Sequence, residues 1–200
     1  TVMKITSVFL TFICSLSFAY SQSINLDDVR SLLDGVIKNK KNKKIEWSGV
    51  PGDTNFNIAD RIAILDVINA YGVYWDENNL KGFFNLFLDD AVRITTDKNG
   101  NEKKITKSEE EKIAIERQTF FKKNSMQRRH MMHNTHFIKQ TENYARVIQY
   151  MTLLNTTAGK KSNIVSPIIY DFELKKINGI WKISKRKINL DYKLDLPFKK

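Results

Sequence analysis

The 200-residue chain is poor in the residues that punctuate or cross-link a fold: one cysteine, three prolines, eight glycines and three histidines. Cys14 stands alone in a leader, so the mature chain has neither a disulfide nor a thiol nucleophile; its stability has to come from a packed core. So little Gly and Pro excludes collagen-like and linker-dominated chains. No Gly-rich phosphate loop and no Gly-x-Ser-x-Gly elbow occurs, which sets aside kinases, NTPases and serine hydrolases. Acidic residues are also short, 22 Asp+Glu against 33 Lys+Arg, a net charge of +11. What the chain does have is apolar substance. It is 42% hydrophobic, with 12 Phe, 7 Tyr and 3 Trp, enough to bury one core and too much for a mostly disordered chain.

The apolar run from Val8 to Phe18 follows Lys4 and ends in Ala19-Tyr20-Ser21. A positive start, a short apolar segment and a small-x-small end describe a secretory signal peptide cut between Ser21 and Gln22, with the mature protein exported to a periplasm or the medium and carrying no membrane anchor. Removing residues 1–21 takes away Lys4 and no acid, leaving +10. Residues 22–55 read as a short helix from Asn25 to Ile37 and a linker containing Lys38-Asn39-Lys40-Lys41-Asn42-Lys43-Lys44. That run has no Arg to read bases and no ring to stack on them, so it reads as a solvated linker and nucleic acid as a poor fit for a partner.

The main domain is placed at residues 56–192, with 193–200 as a tail. Apolar residues recur at helical steps from Ile58 to Trp75, with Ile58, Ile62, Leu65, Ile68 or Asn69, Gly72 and Trp75 at three- and four-residue spacing. Asn78 or Asn79 caps a shorter helix carrying Phe83, Phe84 and Phe87. Asp89-Asp90 is expected to stop it, with a strand from Ala91 to Thr96. Ser108-Glu109-Glu110-Glu111 opens a third helix whose apolar residues are Ile113, Ile115, Phe120 and Phe121. From Met126 onward, β-branched and aromatic runs alternate with turn residues, and Asn178-Gly179 is the sharpest hairpin signal. Helices followed by a meander predict an α+β fold, helices packed on one face of a mostly antiparallel sheet.

The order of these elements resembles the SnoaL-like branch of the NTF2-like superfamily. The residues that carry the resemblance are Asp60-Arg61 through Tyr71 to Asp76, Phe84-Asn85-Leu86-Phe87-Leu88-Asp89-Asp90-Ala91, Arg129-His130 with Met131, Met132 and Asn134, and Asn178-Gly179-Ile180-Trp181-Lys182-Ile183. The resemblance implies a cone, in which a strongly bent sheet wraps the helices and an apolar pocket opens at its wide end. It also implies roles similar to those of scytalone dehydratase-like enzymes: His130 as the proton-transfer group, Asp76 as the carboxylate that holds it, and Tyr71 as a phenol able to polarise a carbonyl. An imidazole suits this work because it gives and takes protons near neutral pH. Two readings of Asp76 and His130 stand side by side, a catalytic pair or a helix end and a strand histidine with structural partners. The second strand histidine of the dehydratases has no counterpart here, Asn155 or Thr156 standing near its place.

Strand alternation puts His130, Met132, Asn134 and His136 in one row towards the pocket and His133 on the other face, so the three histidines do not converge and no metal is expected. Tyr74, Asn155 and Tyr170 complete the expected lining. The expected partner is a small apolar or aromatic molecule, with no cofactor; a homo-oligomer is compatible with the fold. The expected chemistry is dehydration, isomerisation or cyclisation by proton transfer, and the alternative is a non-catalytic ligand-binding or dimerisation module on the same cone.

Overall fold

Asn57 supplies the side-chain oxygen that starts the first long helix, Oδ1 accepting from the Asp60 N–H at 3.0 Å. The computed structural model describes residues 50–96 and 101–190. The expected leader, the Asn25–Ile37 helix, the lysine run, the Asn99-Gly100 turn and the C-terminal tail lie outside these residues. Helix α1 runs Ile58–Asp76 and α2 Leu80–Asn85, followed by β1 (Phe87–Thr96), β2 (Glu102–Thr106), α3 (Lys107–Lys123), β3 (Met126–Gln140), β4 (Tyr144–Thr157), β5 (Asn163–Ile177) and β6 (Ile180–Leu190). The six strands form one sheet in the order β2-β1-β6-β5-β4-β3. Every pairing is antiparallel except β1 with β6. The α+β architecture expected from the element order is the one observed.

The sheet owes its bend to register shifts. One residue is inserted in β3 between Met132 and Thr135 and another between Phe137 and Lys139, and further irregularities interrupt the β4–β5 and β5–β6 ladders. Each bulge locally raises the twist and bends the strand around the helices. At the opposite end, Asn178 and Gly179 both adopt positive φ, 50° and 79°, the two-residue turn that matches strand twist.

The core lies between α1, α2 and the concave face, built on Ile64, Ile68, Phe83, Phe172, Leu174 and Ile183, all fully buried. Each such side chain contributes about 1.5–3 kcal/mol by leaving water. Several sequence expectations change at this level. The buried face of α1 is Asp60, Ile64, Ile68, Tyr71 and Gly72, while Ile58 and Ile62 are exposed. This helix is apolar on several sides, so its periodicity does not select a face; contact with the sheet does. Strand β1 starts at Phe87, with Asp89 and Asp90 inside it, because Phe87 pairs with Ile183 and the Leu86 carbonyl accepts the Ile183 N–H at 2.8 Å. Thr106 caps α3 in a reciprocal box with Glu109, two residues before the expected Ser108. The inward residues of α3 are Glu110, Ala114, Gln118 and Phe121, and Ile115 faces out.

Candidate active site

The last turn of α1 ends against β3, and Gly72 permits the approach. A side chain there would begin 3.1 Å from His130 Cβ. Asp76 closes the contact. Its Oδ2 accepts the His130 backbone N–H at 2.7 Å and its Oδ1 lies 2.7 Å from His130 Nδ1, with only 8% and 6% of the two side chains exposed. Gln127 Nε2 donates to the Asp76 carbonyl at 3.0 Å, tying the helix end to the same strand. A carboxylate facing Nδ1 selects the tautomer with the proton on that nitrogen, leaving the Nε2 lone pair as the acceptor.

Tyr71 lies five residues before Asp76 on the same helix. Its ring meets that of His130 edge-on at 6.1 Å and packs against Phe83, Tyr170 and Phe172 at 4.9, 5.3 and 5.5 Å. The Tyr71 hydroxyl accepts from Arg186 Nη1 at 2.7 Å. Burial, and next the Tyr71 hydroxyl, hold the Tyr170 phenol well above its ordinary pKa, so it stays protonated through the neutral range. Arg186 Nη2 continues to Glu110 Oε1 at 3.2 Å, and Glu110 Oε2 meets Arg93 Nε at 2.6 Å. A polar seam thus passes from β1 through α3 and β6 to the phenols beside the dyad. Burial lowers Arg93 to about 10, with Glu110 opposing it, so that side chain remains a cation at neutral pH.

The expected residues divide. His130, Asp76, Tyr71 and Tyr170 come together. Met132 and Tyr74 sit half-buried against the same core. Asn155 pairs in register with Arg128, two residues before His130 on the inward row. Asn134 and His136 do not belong to that row. The bulge sets both His133 and Asn134 between the Met132 and Thr135 pairings and reverses the alternation, so Asn134 is exposed and His136 pairs with Ile148 on the face opposite Phe137 and Val147. Thr135 takes the inward place and donates to Gln149. His133 Nε2 contacts Thr152 Oγ1 at 2.9 Å. Among the described residues no group of three or more His, Cys, Asp or Glu is gathered to hold a metal.

The Asp76 and His130 side chains are almost wholly buried. Two open grooves of about 550 and 730 Å³ lie instead along the outer sides of α2 and α3, with Leu80 and Ile115 in both, and none of the expected site residues lines either one. The apolar opening expected at the dyad is therefore not among these two. Neither groove gathers the dyad's chemistry, and we place the site by the dyad rather than by the grooves.

The sequence profile of the SnoaL-like domain matches residues 57–187, well over half of the chain. The chain belongs to the SnoaL-like domain family. No curated protein sequence matches it significantly. Its fold is similar to those of several solved structures. Aln2 from a Streptomyces species has a TM-score of 0.58 at 16% identity, covering 68% of this chain and 93% of that one. A protein with a provisional scytalone dehydratase designation from Novosphingobium aromaticivorans gives 0.57 at 18%, covering 72% and 96%. The beta subunit of an enzyme provisionally designated an aromatic-ring-hydroxylating dioxygenase, from the same organism, gives 0.57 at 17%, covering 71% and 97%. At such identities the likeness concerns the fold.

Sequence reasoning missed Glu110, Arg93, Arg128 and Arg186 in this SnoaL-like domain. Glu110 read as one of three glutamates opening a helix, and the arginines sat in strands with no motif. The available signal was Arg itself: only eight occur among 33 basic residues, and four of these eight, Arg93, Arg117, Arg128 and Arg186, stand in the elements that close over the dyad.

Proposed function

We propose that this SnoaL-like domain catalyses cofactor-independent proton transfer on a small aromatic molecule, with His130 as the acid–base group. The observation that carries the reading is the double contact of Asp76 with His130, which fixes both the backbone and the ring of one buried histidine. In a dehydration, His130 Nε2 takes a proton from carbon as the C–H pair becomes the new double bond. The imidazolium, stabilised by Asp76, then returns that proton to the departing hydroxyl, and water leaves. An isomerisation uses the same two transfers with carbon at both ends. Tyr71, its oxygen held by Arg186, is the group that would polarise a carbonyl.

The test is a panel of small aromatic β-hydroxy ketones followed for water loss and for deuterium uptake from D₂O. His130→Ala is expected to slow both by about 10²–10⁴-fold while ligand affinity largely survives. Asp76→Asn should act in the same direction because it releases the ring. Unchanged turnover in His130→Ala would overturn the reading. A second reading, a non-catalytic binding or assembly module, draws on the two open grooves lying away from the dyad; saturable binding across the panel with no deuterium uptake would favour it. We also propose that the protein works outside the cytoplasm after losing its leader.

A further inference from the structure

Four arginines stand on the elements packed around the dyad. Arg93, Arg117, Arg128 and Arg186 act on one another and on the same few groups, Glu110, Asp76, Tyr71 and Tyr170. Guanidinium does not shed its proton at neutral pH, so each of these groups carries a full positive charge. Both carboxylates are already engaged, Glu110 by Arg93 and Arg186, and Asp76 by the backbone and ring of His130.

The Nε atoms of Arg93 and Arg186 also lack a hydrogen bond, but those two guanidinium groups meet Glu110, whereas Arg128 has no ion pair with a carboxylate among the described residues. It is 6% exposed, its guanidinium lies 4.7 Å over the Phe121 ring, and its Nε has no hydrogen-bond partner among the described residues. Directly across the ladder stands Asn155, whose Oδ1 is buried and likewise without a partner. A buried donor and a buried acceptor left unused opposite each other are costly unless something supplies the matching groups. Both stand on the inward row of the strand pair that carries His130.

We propose that Arg128 and Asn155 hold the polar end of the substrate, a carboxylate accepting the Arg128 Nε–H and an adjacent hydroxyl donating to Asn155 Oδ1. The substrate class is then a small hydroxylated aromatic carboxylic acid, its ring lying towards Phe121 and its reacting carbon towards His130 Nε2. The positive charge of Arg128 favours an anion at this place and opposes a neutral or cationic isostere. This assignment rests on the proton-transfer reading for its reaction, but not for its binding.

Calorimetric titration of the full chain with benzoate, benzamide, 2-hydroxybenzoate and inorganic phosphate tests it. Benzoate should bind saturably and benzamide at least about tenfold more weakly, since only the anion forms a charge-assisted bond. The 2-hydroxyl should tighten binding, and Asn155→Ala should cancel that gain alone. Arg128→Gln should erase the preference for benzoate over benzamide. Arg128→Lys, which keeps the charge if the glutamine variant fails to fold, should retain only part of it. Equal binding of benzoate and benzamide, or full discrimination in both Arg128 variants, would overturn the proposal. Phosphate outcompeting benzoate would replace the carboxylate by a phosphate group and overturn the substrate class. His130→Ala should leave the benzoate preference intact. Loss of proton transfer with that preference kept, or the reverse, therefore tells the two proposals apart.

Discussion

Glu110→Gln probes the polar interior most directly. The substitution keeps the side chain's volume, so no cavity opens and only the charge is removed. Glu110 is 5% exposed and its two oxygens meet Arg93 at 2.6 Å and Arg186 at 3.2 Å, those side chains being 10% and 3% exposed. Losing one partner of a buried ion pair costs about 3–5 kcal/mol, because the remaining charge is left uncompensated out of water. Here two cations lose their shared anion, and the neighbouring Arg117 adds repulsion, so the upper part of that range applies. For a domain of this size each kcal/mol moves the melting temperature by about 3 °C, giving a fall of roughly 10–15 °C. Urea unfolding by tryptophan fluorescence, with thermal melts alongside, measures it. Adding Arg93→Gln to Glu110→Gln should recover about 1 kcal/mol or more, since it removes one stranded charge. A single variant within about 0.5 kcal/mol of the parent, or a double variant weaker than the single by the full cost of a second break, would refute the reasoning.

Two other outcomes follow from particular groups. Asp60 accepts from the Trp181 indole N–H at 2.9 Å and meets Lys176 at 2.8 Å, and the Lys176 bond first, then Trp181, holds its carboxyl below the ordinary 3.8. A lowered folded-state value means stability present above the unfolded value and lost as pH falls through the folded one, so Asp60→Asn should be less stable near neutrality and converge on the parent in acid unfolding below about pH 4; parallel curves throughout would contradict this. For the proposed export, mass spectrometry of the protein recovered from the periplasm or medium should find an N-terminus at or beside Gln22, and a leader retained on that protein would refute it.

The site sits where it does because two kinds of contact meet at β3. Gly72 lets α1 pack closely against His130, and the bulge after Met132 reverses the alternation of the rest of the strand. A Cβ at Gly72 would press on His130 Cβ at 3.1 Å, so helix and strand would have to give by a few tenths of an ångström. Without the bulge, Asn134 and His136 would crowd the inward row in place of Thr135 and Phe137.

Local chemistry wrote a large part of this molecule into the chain. The Asn178-Gly179 turn, the asparagine cap of α2 and the alternating runs after Met126 each act within a few residues, so their meaning survives without knowledge of neighbours. The Asp76–His130 pairing was legible only through the family resemblance, since 54 residues separate the partners. Three things belonged to the tertiary structure. The buried face of α1 came from sheet contact, because a helix with isoleucines on several sides has no preferred face of its own. The fate of Asn134 and His136 came from a one-residue bulge, because register depends on the partner strand and strict alternation assumes none. The arginine seam around Glu110 came from four separate elements converging, because a charge in sequence reads as a solvated surface until the fold removes its water.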